Sequence, residues 1–306
     1  MKVLTSPSSF GKISSDPFDL LEKNGYEVIN NPFGRRLTED EVIEIGKECI
    51  GIVAGVEPLT ARVMDNLPAL KCISRVGVGM DSVDMEYAKT KGIKVVNTPD
   101  GPTRGVAELT LSLTMTLLRG IPQADAALKQ RKWQKVIGNL LKGKTIGVVG
   151  LGRIGRMTAE IFRALGNEVI GCDLYPNEEW AKEKNVKVVS QEELFKTADI
   201  ITLHIPGNSD KTPAIGNEQL SLMHSEAVLI NVARGGVVDE DALFDLLSTD
   251  KIKGAAIDVF SEEPYTGKFC DLDNVVLTPH LGSYAKEGKL KMEVDAVENL
   301  LAELKN

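Results

Sequence analysis

The stretch that decides the fold is residues 145–155, TIGVVGLGRIG. Five residues with the composition of a buried strand lead directly into Gly150, Gly152 and Gly155, and an amphipathic helical pattern follows. Gly150 permits a tight strand-to-helix turn, Gly152 permits close approach of the backbone to a phosphate, and Gly155 lets the helix close onto the strand. The free N–H groups at the helix N-terminus bind phosphate. The stretch therefore predicts a dinucleotide-binding unit.

The strand predicted next indicates which dinucleotide is bound. Residues 168–172, EVIGC, are followed directly by Asp173. A carboxylate at this place accepts hydrogen bonds from the adenine-ribose hydroxyls and repels a 2′-phosphate. The alternative is an ordinary surface aspartate at a strand end. Because strand, glycine loop, helix and second strand occur together, we assign Asp173 to a dinucleotide site. Its carboxylate predicts NAD rather than NADP.

The rest of the chain predicts two α/β units. Two series of short apolar runs alternate with amphipathic segments, which is typical of parallel sheets with crossover helices. The predicted strands are residues 2–5, 27–29, 50–54, 72–74 and 94–97, then 145–149, 168–172, 186–189, 200–204, 227–232, 254–259 and 275–278. A long helix is predicted between the series at about residues 103–120, and a last helix at residues 284–305. Two such units leave a cleft where strand carboxyl ends face a ligand.

Composition excludes several classes of protein. The chain has 306 residues and a net charge of −8, so it lacks the basic surface of a nucleic-acid binder. No apolar run approaches the roughly 20 residues of a membrane span, and the apolar run at the N-terminus is too short for a signal peptide. The four cysteines are scattered and lack metal-ligand spacing. We expect a cytoplasmic, reduced protein with no metal and no nucleic-acid or membrane partner.

Three short segments after predicted strands carry candidate catalytic residues. They are residues 231–236 (NVARGG) with Arg234, 258–264 (DVFSEEP) with Glu263, and 278–280 (TPH) with His280. Taken singly, these side chains could be a surface charge, a turn residue and a loop histidine. Together they contain the groups needed to transfer a hydride to a 2-oxo acid. An arginine binds a carboxylate, a histidine exchanges the hydroxyl proton, and an adjacent carboxylate orients the histidine.

Several motifs in this order resemble the D-isomer-specific 2-hydroxyacid dehydrogenase family over essentially the whole chain. They are residues 75–81 (RVGVGMD), 97–99 (NTP), 106–109 (VAEL), 150–155, 231–236, 254–264 and 278–282. The resemblance implies that His280 is the acid/base, Glu263 its partner and Arg234 the residue that orients the substrate. It also implies that Arg75 and the Val76-Gly77-Val78 loop bind the substrate, whose carboxylate meets backbone N–H groups of that loop.

The resemblance further implies the architecture and the cofactor contacts. We expect two doubly wound parallel-sheet domains: a Rossmann NAD-binding domain at residues 100–282, inserted into a flavodoxin-like substrate domain made of residues 1–99 and 283–306. The implied cofactor contacts are Val78, Gly150, Gly152, Arg153, Ile154, Gly155, Asp173, His204, Ile205, Pro206, Val232, Ala233, Arg234, Asp258, His280, Gly282 and Ser283. Asp258 would face the nicotinamide amide, or alternatively cap its strand. His204 would lie beside the cofactor without transferring a proton.

The resemblance also suggests a homodimer formed through residues 103–141. An arm at residues 120–141 contains Trp133, and an exposed tryptophan is a plausible interface anchor. The alternative for Trp133 is packing within its own chain.

Among branches of the family, the phosphoglycerate dehydrogenases have the nearest pattern, which makes 3-phosphoglycerate and 3-phosphohydroxypyruvate the first candidate substrates. The chain departs from this pattern at Ala54, where those enzymes carry an arginine, and at Pro102. Arg36, Arg75 or Arg104 could supply positive charge instead. We expect no ACT-type regulatory domain after residue 306. Glyoxylate, hydroxypyruvate or a D-lactate-type acid is the alternative substrate. An NAD(H)-sensing binding protein and a formate or phosphite oxidase are the alternative functions.

Overall fold

A computed structural model describes residues 1–208 and 212–305. Its contacts divide the chain into one unit of Met1–Thr103 with Ser283–Asn306, and a second unit of Arg104–Gly282. The chain leaves the first unit at the start of a long helix and returns to it after Gly282.

The first unit is built on a parallel sheet of five strands in the order β2-β1-β3-β4-β5. This is the flavodoxin-like strand order, and it confirms the predicted fold of this unit. The strands are β1 (Lys2–Thr5), β2 (Glu27–Asn30), β3 (Cys49–Ala54), β4 (Cys72–Arg75) and β5 (Lys94–Asn97). The helices are α1 (Asp16–Lys23), α2 (Glu39–Gly46), α3 (Ala61–Asp65), α4 (Met85–Thr90) and, from the end of the chain, α12 (Lys286–Lys305).

The final helix completes the core of this first unit. Helix α12 packs on α1 and on strands β3, β4 and β5. Its residues Val297 and Leu300 are fully buried in one cluster with Val3, Leu21 and Val53. Gly51 on β3 leaves room for Leu300, because a Cβ there would lie only 3.0 Å from its side chain. Helix α12 therefore covers a sheet that the N-terminal residues form.

The second unit is a parallel sheet of seven strands in the order β12-β11-β10-β9-β6-β7-β8. Six of them follow the order of a doubly wound dinucleotide fold, and β12 extends one edge, so the predicted Rossmann architecture is confirmed. The strands are β6 (Thr145–Val149), β7 (Glu168–Cys172), β8 (Lys187–Val188), β9 (Ile200–Leu203), β10 (Val228–Asn231), β11 (Gly254–Ile257) and β12 (Val275–Leu277). The helices are α5 (Thr103–Arg119), α6 (Ile121–Lys129), α7 (Arg153–Ala164), α8 (Glu178–Glu183), α9 (Gln191–Thr197), α10 (Asn217–Leu220) and α11 (Glu240–Ser248).

The central strands of this sheet are buried throughout because helices cover both faces. Every residue of β9, β10 and β11 is buried, and two hydrophobic clusters lie on opposite sides of these strands. The strands β9 to β12 end one or two residues earlier than predicted. The residues that follow them turn out of the sheet into loops, and these loops carry the candidate site. None of the helices in residues 1–208 and 212–305 is both long and apolar enough to cross a bilayer.

The packing of α12 gives the first testable prediction. Leu300→Ala should lower the free energy of unfolding by about 2–5 kcal/mol, because it leaves a cavity in a fully buried cluster. The matched control is Glu298→Ala, an exposed position on the same helix, which should change stability by no more than about 0.5 kcal/mol. Urea unfolding measures both. Equal stabilities of the two variants would show that α12 is not part of the core.

Candidate active site

Three neighbouring loops at one edge of the second sheet hold the predicted catalytic residues. Strands β10, β11 and β12 are adjacent and parallel, so their carboxyl ends lie at the same edge. Arg234 follows β10, Glu263 follows β11 and His280 follows β12. The structure therefore gathers the loops of all three residues at one edge of a single unit.

His280 and Glu263 are in direct contact. The Nδ1 atom of His280 lies 3.0 Å from Oε2 of Glu263, and both side chains are partly open to solvent, with 48% and 38% of their surface exposed. The other carboxylate oxygen, Oε1, accepts a hydrogen bond of 3.1 Å from the backbone N–H of Phe260. Because Nδ1 faces the carboxylate, Nε2 is the ring nitrogen available for proton exchange with a ligand.

The buried carboxylate of Asp258 shapes the loop that carries His280. Asp258 has no exposed surface, and its Oδ1 accepts hydrogen bonds from Thr278 Oγ1 and, at 2.7 Å, from the N–H of Leu281. Its Oδ2 accepts from the N–H of Gly282 at 2.9 Å, and its backbone carbonyl accepts from the N–H of His280 at 2.8 Å. These bonds hold His280 in a left-handed conformation with φ of 56°. Asp258 thus anchors the loop of His280, and its contact with the nicotinamide amide stays a prediction.

Arg234 lies in a tight turn that is organised by Asn231. The Asn231 side chain accepts a hydrogen bond from the N–H of Ala233 at 3.1 Å and donates one to the carbonyl of Arg234 at 3.3 Å. A Cβ atom on Gly235 would collide with the backbone carbonyl of Phe260, so this turn and the loop after β11 touch backbone to backbone. Only glycine permits that approach. Phe260 therefore contacts both the turn of Arg234 and the carboxylate of Glu263, which sequence reasoning missed because no local motif marks it.

The glycine loop between β6 and α7 has the geometry that a dinucleotide requires. Gly150 has φ of 91°, and a Cβ there would lie 2.6 Å from the carbonyl oxygen of His204. A Cβ on Gly155 would collide with the carbonyl of Gly150, so this glycine lets α7 approach the strand. Gly152, by contrast, has nothing within 4 Å of the place where its Cβ would be. That open position at the N-terminus of α7 fits a pyrophosphate.

Asp173 lies beside the glycine loop. Its Oδ2 accepts a hydrogen bond of 2.6 Å from the N–H of Leu151, and its Oδ1 accepts one of 2.8 Å from the N–H of Tyr175. A carboxylate has about four acceptor positions, so each oxygen can accept one further hydrogen bond from a ribose hydroxyl. Leu174 and Tyr175, which follow, are both exposed.

The other residues expected to contact the cofactor lie in the two units as follows. Arg153 and Ile154 form the first turn of α7. Directly after β9 come His204, Ile205 and Pro206, and after β10 come Val232 and Ala233. All of these belong with Gly282 to the second unit, whereas Val78 and Ser283 belong to the first.

His204 lies at the end of β9 and stays neutral. Burial lowers the pKa of His204 from its ordinary value of 6.5 to about 3. Its Nε2 lies 3.0 Å from Oγ1 of Thr202, and its backbone N–H donates to the carbonyl of Val149. An uncharged imidazole supporting the glycine loop cannot serve as the proton donor near neutral pH.

In the first unit, part of the loop expected to bind the substrate is already hydrogen-bonded. The N–H of Val76 donates to the carbonyl of Ala54 at 2.9 Å, and the N–H of Gly77 donates to Oγ1 of Thr98 at 2.8 Å. The side chain of Asn97 donates to the carbonyl of Val78 at 2.9 Å. A substrate carboxylate would have to compete for the first two amides, which favours the amide of Val78 in that role.

Within residues 1–208 and 212–305, no group of three His, Cys, Asp or Glu residues is arranged to hold a metal ion. Cys49, Cys72 and Cys172 are buried and Cys270 is exposed, and all four thiols are free. Burial raises the pKa of the Cys72 thiol to about 12, which keeps it protonated and unreactive.

Comparison with known proteins shows the family. Residues 111–282 match the family described as "D-isomer specific 2-hydroxyacid dehydrogenase, NAD binding domain". The chain is 43% identical to the D-3-phosphoglycerate dehydrogenase of Methanocaldococcus jannaschii over 83% of its own length and 49% of that protein. It is 35% identical to the hydroxypyruvate reductase of Thermotoga maritima over 95% of its own length and 97% of that protein.

A solved structure matches the fold over the full chain. The D-lactate dehydrogenase of Aquifex aeolicus, complexed with NAD and lactic acid, superimposes with a TM-score of 0.84 at 28% identity, covering 100% of this chain and 96% of that one. The chain spans about half the length of the phosphoglycerate dehydrogenases that it matches.

The environment of His204 predicts a dependence of stability on pH. Below about pH 6.5 the unfolded chain binds a proton at this histidine, whereas the folded chain does so only near its lowered pKa of about 3. The folded state therefore loses stability as the pH falls through this window. His204→Gln should lose less stability between pH 7 and pH 4 than the unmodified chain, by about 1 kcal/mol or more. Urea unfolding at each pH measures this difference.

The matched control is His224→Gln, which removes a histidine near Asp199 at the opposite, amino-terminal edge of the same sheet. If His204→Gln and the unmodified chain lose stability equally with falling pH, the prediction that His204 is neutral in the folded chain is wrong.

Proposed function

Because this chain belongs to the D-isomer-specific 2-hydroxyacid dehydrogenase family, we propose that it is an NAD-dependent oxidoreductase that interconverts a D-2-hydroxy acid and its 2-oxo acid. The observation that carries the proposal is the 3.0 Å contact between His280 and Glu263, at the sheet edge where the turn of Arg234 also lies. These three residues are the proposed catalytic residues.

Residues 100–282 are the proposed NAD-binding domain, and the second unit, Arg104–Gly282, forms nearly all of it. Gly150, Gly152 and Gly155 would hold the pyrophosphate at the N-terminus of α7, and Asp173 would bind the adenine ribose. The remaining contacts expected from the sequence complete the proposed cofactor site. When bound, NADH supplies the hydride and NAD accepts it.

The chain's own residues would handle the proton and the substrate carboxylate. In the reductive direction, protonated His280 donates the proton on Nε2 to the substrate oxygen while carbon 2 receives the hydride, so the product is the hydroxy acid. Glu263 stabilises the positively charged imidazole and fixes its orientation through Nδ1. The guanidinium of Arg234 binds the substrate carboxylate and polarises the adjacent carbonyl. In the oxidative direction, neutral His280 takes up the hydroxyl proton.

Residues 1–99 and 283–306 are the proposed substrate domain, and all of them belong to the first unit. Arg75, Val76, Gly77 and Val78 are its proposed substrate-binding residues. Of the loop amides, that of Val78 fits the carboxylate best, because those of Val76 and Gly77 already bond to Ala54 and Thr98.

Our first candidate substrate pair is 3-phosphoglycerate and 3-phosphohydroxypyruvate, which would place the enzyme in serine biosynthesis. It is supported by 36–43% identity to archaeal proteins named D-3-phosphoglycerate dehydrogenase. A second candidate is hydroxypyruvate. It is favoured by the relative from Thermotoga maritima, whose length matches that of this chain, and by the alanine at position 54 in place of an arginine. Ala54 is fully buried, and Arg104 is paired with Glu108, so neither position offers a free positive charge to a phosphate.

We also propose that the chain forms a homodimer through residues 103–141. Helix α6 has no buried residue, and within the chain Trp133 is 83% exposed and Ile137 is 98% exposed, so Trp133 does not pack within its own chain. Between Asp125 and Glu160 the sequence has no acidic residue and several basic ones, although the whole chain has a net charge of −8. A basic, apolar arm is complementary to an acidic second copy. A cytoplasmic location is also proposed, supported by the four free cysteines.

A substrate panel tests the proposed activity. With NADH, the chain should reduce 3-phosphohydroxypyruvate, hydroxypyruvate, glyoxylate or pyruvate, and the ranking of kcat/KM identifies the substrate. His280→Ala should lower kcat by about 10²–10⁴-fold because it removes the proton donor, while NADH affinity stays nearly unchanged. Absorbance of NADH follows the reaction, and fluorescence titration measures binding. Binding of NADH without turnover of any acid would instead support a cofactor-sensing protein, and an H280A variant with normal kcat would remove His280 from the mechanism.

The proposed dimer has a separate test. Light scattering should give a mass of twice 33.2 kDa for the unmodified chain. Ile137→Asp should shift the mass toward the monomer, because it replaces an exposed apolar side chain of the proposed interface by a charged one. Leu165→Asp, at an exposed position outside the arm, is the matched control and should stay dimeric. A dimeric I137D variant would place the interface elsewhere.

A further inference from the structure

Phe260 is the residue on which two of the catalytic loops depend. Its backbone N–H binds Oε1 of Glu263 at 3.1 Å, and its carbonyl lies against Gly235, next to Arg234. A shift of Phe260 would therefore displace the carboxylate that orients His280.

The ring of Phe260 is itself held by Tyr265. The two rings are stacked with centroids 4.1 Å apart and an angle of 15° between their planes. The hydroxyl of Tyr265 accepts a hydrogen bond of 3.1 Å from the backbone N–H of Phe269, whose ring is fully buried. Gly267 leaves room for the tyrosine, since a Cβ there would lie 2.7 Å from its ring. Tyr265 is thus fixed at its far end to the core and at its face to Phe260.

We propose that Tyr265 is a positioning residue for the His280–Glu263 pair. Its ring holds Phe260 in place, and the amide of Phe260 holds the Glu263 carboxylate in the orientation that meets Nδ1 of His280. The kinetic consequence of this inference rests on the proposed function, whereas its geometric consequence does not.

Other contacts keep the loop attached when this ring is removed. Glu240 accepts hydrogen bonds from the N–H and the hydroxyl of Ser261, both at 2.7 Å. Lys268 pairs with Asp241 at 2.5 Å. Because these anchors bind the loop to the start of α11, loss of the Tyr265 ring should loosen Phe260 and Glu263 without unfolding the unit.

The first test reads the environment of His280 directly and needs no activity. The sequence has three histidines, so the imidazole signals in an NMR spectrum are few, and the His280→Ala variant identifies the relevant one. At one fixed pH, Tyr265→Ala should move the ring signals of His280 in the same direction as Glu263→Gln, because both changes take a carboxylate oxygen away from Nδ1. Tyr265→Phe keeps the stacked ring and should leave the His280 signals where the unmodified chain has them.

A second variant tests whether the effect of Tyr265→Ala comes only from a general loss of folding. Gly267→Ala keeps the tyrosine but pushes a methyl group against its ring, and its backbone conformation suits alanine. It should move the His280 signals in the same direction as Tyr265→Ala. Unchanged His280 signals in both variants, with moved signals in Glu263→Gln, would overturn the positioning role.

A double-mutant cycle provides the kinetic test. Tyr265→Ala should lower kcat by about ten- to a hundredfold with KM for NADH unchanged, since misplacement of a catalytic group affects the chemical step. In a chain that already carries Glu263→Gln, Tyr265→Ala should cost less than about twofold more, because both changes act through one carboxylate. Full additivity would contradict the proposal. If the unmodified chain turns over no 2-oxo acid, the proposed function fails, while the NMR comparison of the variants still decides the role of Tyr265.

Discussion

The site depends on the parallel alignment of β10, β11 and β12. Ile230 pairs with Ala256, and Ala256 with Val276, so the three strands run side by side and end at one edge. Two contacts then join the loops beyond that edge: the backbone approach between Gly235 and Phe260, and the hydrogen bonds of Asp258 to the loop of His280. Residues far apart in sequence meet because the sheet forces their loops together, and short polar bonds set the final geometry.

Two carboxylates at this edge have different tasks because they differ in burial. Asp258 is fully buried, so its oxygens need hydrogen-bond donors, and the surrounding hydroxyl and amide groups supply them. That makes it an anchor for the backbone. Glu263 is partly exposed, bonds to one amide and leaves its second oxygen for His280. Because the amide holds one oxygen of Glu263 in place, the other oxygen can orient the imidazole of His280 and stabilise its positive charge.

The glycines of the second unit show the same distinction between structure and ligand. Gly155 and Gly235 are required because backbone atoms of the neighbouring segment occupy the space that a side chain would take. Gly152 meets no protein atom there, so the structure alone does not explain why a larger residue is absent. A ligand phosphate close to the backbone, as proposed for Gly152, would explain it.

Much of the fold could be read from local pattern. The apolar runs at β1, β6 and β7 and the glycine loop appear in the sequence with their correct bounds, because a strand covered on both faces must be apolar along its length. The sequence also shows that Arg234, Glu263 and His280 each follow a predicted strand. Because parallel neighbouring strands end at the same edge of a sheet, this pattern predicts that the three residues lie at one edge. The pairing of Glu263 with His280 was expected from the family resemblance, whereas the hydrogen bonds that Asp258 accepts from the loop of His280 and the stack of Tyr265 on Phe260 were not visible. They join residues through space with no repeating pattern, and only the packed tertiary structure decides which partner each polar or aromatic group meets.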